Sequence, residues 1–352
     1  MAGHRIASID ALRGLAALCV LVQHGVQPIV GNPGTAPSVS AWLTGVTVNR
    51  FDLGRYGVIL FFLISGYVVP FSLRGGHALR RFVVTRAARL YPAFWLSVAA
   101  MVLTAGSATT GAQVAANLTM APSLLGQPPL SGVYWSLFVE LVFYALCAAL
   151  FAAGLLRRAG AVFALGLFCV ALPLAGVWLR RCGIDVPIAY LGAHLSFLFA
   201  GTLMRIAAEY PDRATKGYVI VLTLAALSIM PILARQPDHA FTRSTPAGVL
   251  LAATAAATTF AVLHRSSVAM PAPLLRVGAT SYSVYLFHIP VARVVARLVP
   301  PDGVAGAILY LGLTLSGTFA AAALVYARIE QPTIAWSKRR WPRRALELAV
   351  AP

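Results

Sequence analysis

Apolar residues fall in blocks of twenty or so along almost the whole chain, parted by short polar stretches rich in arginine, glycine and proline. About twenty mostly apolar residues are what a helix needs to cross the hydrocarbon core of a bilayer. Ten blocks have that length: 8–29, 55–73, 83–104, 132–155, 160–179, 188–208, 217–234, 246–263, 279–298 and 304–327. The pattern predicts an all-α fold, a polytopic transmembrane helix bundle of about ten spans, with a kink expected where Pro173 interrupts its block. One further apolar stretch, 112–125, is too short to span, and Pro122, Pro128 and Pro129 follow or interrupt it, so it reads as an outer loop or a shallow dip. No internal repeat of the kind found in inverted-repeat transporters is evident.

Composition agrees and adds an orientation. With 59% hydrophobic and 11% charged residues among 352, and a mean hydropathy of +0.79, the chain carries more apolar surface than one soluble core can bury. The formal net charge of +18 invites comparison with nucleic-acid binders, but the basic residues form short clusters between apolar blocks, so no nucleic-acid partner is expected. Membrane lipids are the expected surroundings. If the N-terminus lies inside, the inner loops and tail hold eighteen basic residues and the outer loops and span ends eight. The positive-inside rule then puts both termini in the cytoplasm and the protein in the cell (inner or plasma) membrane. Residues 1–335 read as one integral-membrane domain and 336–352 as a basic cytoplasmic tail. Cys19, Cys147, Cys169 and Cys182 show no paired spacing, so neither a disulfide framework nor a metal site is expected. No cleavable signal peptide is expected either, because Asp10 and Arg13 stand in the first apolar block. A homo-oligomer is left open.

Candidate chemistry comes from polar residues inside spans, where an isolated charge costs at least about 2.5 kcal/mol and marks a functional candidate. Arg13 and His24 are eleven positions apart in IDALRGLAALCVLVQHG and return to one helix face, roughly 16 Å apart along the axis. His24 suits a general base, and Asp10, three positions before Arg13, suits its ion-pair partner. The alternative for Asp10 and Arg13 is a snorkelling pair at a span end. Arg86 and Arg89 form an RxxR in TRAARLYP; planar guanidinium forks at that depth suit phosphates, with anionic lipid as the alternative ligand. Glu140 in YWSLFVELVFY is a lone carboxylate among apolar neighbours, at a depth comparable with His24. Beside it, Trp135 and Ser136 are either site residues or an interfacial anchor. His288 in SYSVYLFHIP reads as a satisfied core histidine or an orienting group, and Glu330 in ARIEQP as a partner of inner-face arginines. Ser65 and Gly66 in FFLISGY are assigned to close helix packing.

Taken together, these stretches resemble the acyltransferase family 3 membrane proteins, a family of sugar O-acyltransferases. IDALRGLAALCVLVQHG with its R-x10-H, FFLISGY, TRAARLYP, YWSLFVE, GATSYSVYLFH and IEQP occur in the family's order from residue 9 to residue 332. Tyr67 stands where phenylalanine is commoner, and Gln331 where a basic residue often follows the glutamate. The resemblance implies a cytoplasmic acyl-CoA donor, usually acetyl-CoA, no metal, and a carbohydrate or glycolipid hydroxyl as acceptor. It implies that Arg13 and His24 are essential for transfer, that Arg86 and Arg89 hold CoA phosphates, and that Trp135, Ser136 and Glu140 lie in a recognised motif. It also places the chain with single-domain members. The catalytic set is then His24, Arg13 and Glu140, with Asp10, Trp135, Ser136 and His288 binding or orienting substrate, and Glu140 or Asp10 steadying the imidazole. Ser136 or a buried arginine are the oxyanion candidates. The rival reading is a secondary transporter or exporter of a glycan or small acid that uses His24 and Glu140 as a proton relay.

Overall fold

A computed structural model describes residues 7–105, 109–184, 190–235 and 244–340. Among these, every regular element is helical. In chain order they are α1 (Ala7–Val30), α2 (Pro37–Thr44), α3 (Leu53–Val68), α4 (Ala78–Thr104), α5 (Gly111–Leu118), α6 (Tyr134–Ala152), α7 (Ala159–Arg181), α8 (Tyr190–Glu209), α9 (Arg213–Leu233), α10 (Pro246–Leu263), α11 (Ala272–Ala279), α12 (Ser281–Leu298), α13 (Gly303–Val325) and α14 (Gln331–Arg339). Each of the ten apolar blocks has become a helix. Nine described helical stretches are long and apolar enough to cross a membrane. The remaining block, 279–298, forms α12, whose Ser281, Ser283, His288, Arg293 and Arg297 make it too polar to qualify by composition, although it is continuous through Pro290. The short apolar stretch divides into α5 and a single tight turn, Pro122–Leu125. Of the expected basic tail, 336–339 belong to α14, and 341–352 lie outside the described residues.

The helices divide into an inner and an outer set. α8 is 72% buried along its most apolar stretch, whereas α7, α9 and the stretch containing α13 are 28% buried. The outer helices and span ends turn side chains such as Leu298, Val304 and Ile308 outward, as a bundle solvated by lipid tails requires. Small residues close the inner contacts. A Cβ on Gly66 would meet the Leu198 carbonyl oxygen and one on Gly201 the Leu63 carbonyl oxygen, at 1.9 and 2.3 Å, so α3 and α8 touch backbone to backbone. This is the packing expected of Gly66. Gly14 and Gly278 do the same for α1 and α11. Ser65, grouped with Gly66 from the sequence, points the other way and donates to Glu140 Oε1 at 2.8 Å.

Candidate active site

Close packing is interrupted along one line through the bundle, and the residues singled out by their polarity gather there. At the end where α1 begins, a mouth of about 440 Å³ is lined by Asp10, Arg13, Arg74, Arg157, Arg205 and Glu209, among others. It gives onto a neck of about 80 Å³ lined by Arg13, Arg86, Arg89, Ser136, Glu140 and Tyr144. At the opposite end lies a cavity of about 780 Å³ whose walls include His24, Asp52, Arg55, Trp135, Arg293 and Arg297. Arg13 lines both the mouth and the neck, and Val58 and Tyr285 line both the neck and the large cavity. The three hollows therefore follow one another from one end of the bundle to the other.

His24 is held in one tautomer. Its Nδ1 lies 3.0 Å from the Val20 carbonyl oxygen, one helical turn earlier. A carbonyl can only accept, so Nδ1 carries a proton, and in the neutral ring the lone pair is on Nε2. His288 Nε2 stands 3.3 Å from the same Nδ1, with ring centroids 5.0 Å apart, and shares that proton as a second acceptor. Among the described residues, His24 Nε2 has no protein partner, and the half-buried ring lines the large cavity. A neutral imidazole with an available Nε2 is the form a general base requires.

Glu140 is not the group that orients this ring. Its Oε1 accepts from Ser65 Oγ at 2.8 Å and from Tyr144 Oη at 2.6 Å, and it faces the neck with Arg13, Arg86 and Arg89. Asp10 is fourteen residues before His24 on one helix, roughly 21 Å away along the axis, and pairs with Arg13 at 3.6 Å instead. Similar depth had suggested a Glu140–His24 pair; Glu140 lines the neck and His24 the large cavity, and Glu140 is held by Ser65 and Tyr144.

Arg86 lies against the paired rings of Phe82 and Tyr144, 5.6 and 5.5 Å from their centroids, and its Nη2 donates to Ser72 Oγ at 3.2 Å. Arg89 shares the neck with it, as the three-residue spacing on α4 requires. Ser136 Oγ lies 2.6 Å from Tyr285 Oη and 3.1 Å from the Val133 carbonyl oxygen, so its one proton already has acceptors within the protein. Trp135 faces inward, against Phe62, Tyr190 and His194. Glu330 is buried and accepts from Ser283 Oγ at 2.9 Å, with Arg89 and Arg13 the cations that act on it.

Sequence reasoning missed a second buried polar group. Arg55, counted as a cation at a span end, is 5% exposed and hydrogen-bonds His194 Nε2 through Nη1 at 2.9 Å. His194 Nδ1 bonds the Tyr190 carbonyl oxygen at 2.8 Å, so Nε2 is the acceptor and Arg55 the donor. Asp52 caps α3 through the Arg55 N–H, lies 3.8 Å from the guanidinium, and accepts from Ser244. The guanidinium also sits 5.5 Å above Trp135. A lone histidine inside the 188–208 block was the available signal for His194; nothing local marks Asp52. No group of three or more His, Cys, Asp or Glu that could hold a metal occurs among the described residues.

A family model described as an acyltransferase domain matches residues 6–327. Nodulation protein 10 of Rhizobium leguminosarum bv. viciae is 27% identical to the chain, across 99% of it and 98% of the relative. Exopolysaccharide production protein ExoZ of Rhizobium meliloti (strain 1021) is 28% identical, across 84% of the chain and 94% of the relative. No solved structure matches.

Proposed function

The chain belongs to the acyltransferase-domain family and is a multi-pass membrane acyltransferase, and from that premise we propose that it moves an acyl group, acetyl in the first instance, from acyl-CoA to a hydroxyl of a cell-surface glycan or glycolipid. One observation carries the reading: a path of three adjoining hollows leads from an arginine-lined mouth to a histidine with an open Nε2. The excess of basic residues at the mouth end supports a cytoplasmic position for it. The relatives named for exopolysaccharide production and nodulation support a glycan acceptor.

In this reading the anionic head of the donor rests in the mouth near Arg74, Arg157 and Arg205, with Arg86 and Arg89 drawing its phosphates toward the neck. The pantetheine arm extends past Arg13 and presents the thioester where Val58 and Tyr285 line both hollows. An acceptor hydroxyl enters from the large cavity. His24 Nε2 takes its proton while the oxygen attacks the thioester carbonyl carbon. The carbon–sulfur bond breaks as the tetrahedral oxyanion collapses, and the imidazolium returns the proton to the CoA thiolate. Ser136 has its proton engaged, which favours Arg13 as the cation facing the developing oxyanion. His288 and the Val20 carbonyl, not a carboxylate, hold the ring, so the positive charge on the imidazolium is shared with a second imidazole.

The test is thiol release from acetyl-CoA by the purified full chain with a membrane extract of lipid-linked glycans. Release should depend on the extract and be lost in His24→Ala. Release by His24→Ala at the parent rate removes the base from this scheme.

A further inference from the structure

We propose that the large cavity is a binding site for an anionic sugar, with Arg293 and Arg297 as its anion-holding pair. The proposal rests on the acyltransferase reading above and names the class of acceptor. Four charged residues line the cavity: Asp52, Arg55, Arg293 and Arg297. Asp52 and Arg55 compensate each other within the wall, and Nη1 of Arg55 is engaged by His194. Asp52 is the one acid lining the cavity among the described residues, so Arg293 and Arg297 face it uncompensated.

Their placement is that of a site. They are four residues apart on α12 and stand side by side on its face. Arg297 is fixed by donating from Nη2 to the Thr104 carbonyl oxygen at 2.9 Å, which engages one of five guanidinium N–H bonds and leaves the others for a ligand. Arg293 has no protein partner among the described residues and is exposed to the cavity. Neither serves the charge bias that orients the bundle, since both lie at the end opposite the arginine-rich mouth, where that bias disfavours cations. Nor do they snorkel from the lipid face, because they line the hollow.

The neighbours suit a sugar. Gln27, Thr109 and Gln113 supply amide and hydroxyl groups around the same hollow, which falls in the size range of small-molecule sites. Arg293 follows His288 by five residues on one helix, about 7.5 Å along the axis. Arg293 and His24 line the same hollow, so an anion held on Arg293 keeps the adjoining sugar hydroxyls in the space that His24 faces. The shared chemistry is a carboxylate or phosphate oxygen. It has two sources: a uronic acid in the glycan, or the phosphate that joins a sugar to its lipid carrier.

The experiment is equilibrium binding to the full chain in nanodiscs of uncharged lipid, with no acyl donor present. The probes are a glucuronic acid disaccharide and its methyl ester, and a farnesyl-pyrophosphate-linked glucose and farnesyl glucoside. At least one acid should bind roughly tenfold tighter than its neutral counterpart and weaken as salt is raised. The first pair reports a carboxylate, the second a phosphate. Arg293→Gln and Arg297→Gln should each lower affinity for that acid by roughly tenfold, and Arg293→Lys with Arg297→Lys should retain most of it. Equal binding of acid and neutral forms, no binding of either acid, or parent-like binding by the double glutamine variant overturns the proposal. Parent-like thermal unfolding of the lysine and glutamine variants separates lost binding from lost folding. Because binding is read without donor, this failure is distinct from transfer surviving in His24→Ala, which strikes the catalytic reading alone.

Discussion

The neck and the large cavity are built from the same helices yet are opposites in chemistry. α1 gives Arg13 to one and His24 to the other; α6 gives Glu140 to one and Trp135 to the other. The neck is a slot of about 80 Å³ crowded with three guanidinium groups and a carboxylate, one cation resting against a pair of aromatic rings. The cavity is about ten times larger (780 against 80 Å³) and presents His24, whose Nδ1 proton is pinned to a backbone carbonyl with His288 beside it. A narrow cationic slot suits an extended anionic chain passing through. A wide cavity with a neutral base suits a bulkier partner that must turn a hydroxyl toward it. That difference is the ground for the proposal that donor and acceptor enter from opposite ends.

Four substitutions break or sharpen that division. The largest effect belongs to His24→Ala, which should lower turnover by about 10²- to 10⁴-fold, the usual worth of a positioned general base, with donor affinity kept; single-turnover rates and donor binding measured together would show it. Arg55→Met comes next. It leaves Asp52 buried without its cation and should destabilise the fold by about 3 to 5 kcal/mol, read as a fall in the thermal midpoint of the detergent-solubilised protein. Replacing both Arg86 and Arg89 by Ala should raise the donor KM by roughly ten- to a hundredfold while the acceptor KM stays put. An unchanged donor KM would give those arginines to lipid instead. The smallest change is His288→Ala, expected to slow turnover by about tenfold, since the Val20 carbonyl alone still fixes the His24 tautomer. A loss as large as that of His24→Ala would make the two imidazoles equal partners and erase the asymmetry drawn here.

Polarity inside an apolar span was a sound guide to which residues gather along the hollows and a poor guide to which meet. Arg13, His24, Arg86, Arg89, Glu140 and His288 all line the path or touch a residue that does. Their partners were another matter. Glu140 was matched to His24 by depth, yet its carboxylate is held by Ser65 and Tyr144 in the neck, because span position does not say which neighbours a side chain meets. Arg55 was set aside as a topology signal because its block boundary fell beside it, yet α3 begins two residues earlier and carries it into the interior.

The sequence by itself determined that this is a helical membrane protein, where its spans lie and which charges stand inside them. Those properties are local: apolar length sets a span, and a charge inside one is costly wherever it stands. Only the tertiary structure decided that His24 faces His288, that Asp52, Arg55 and His194 form a buried group, and that three hollows join end to end. Each depends on how helices far apart in the chain pack, through contacts such as Gly66 on the Leu198 carbonyl, and no local pattern encodes that pairing.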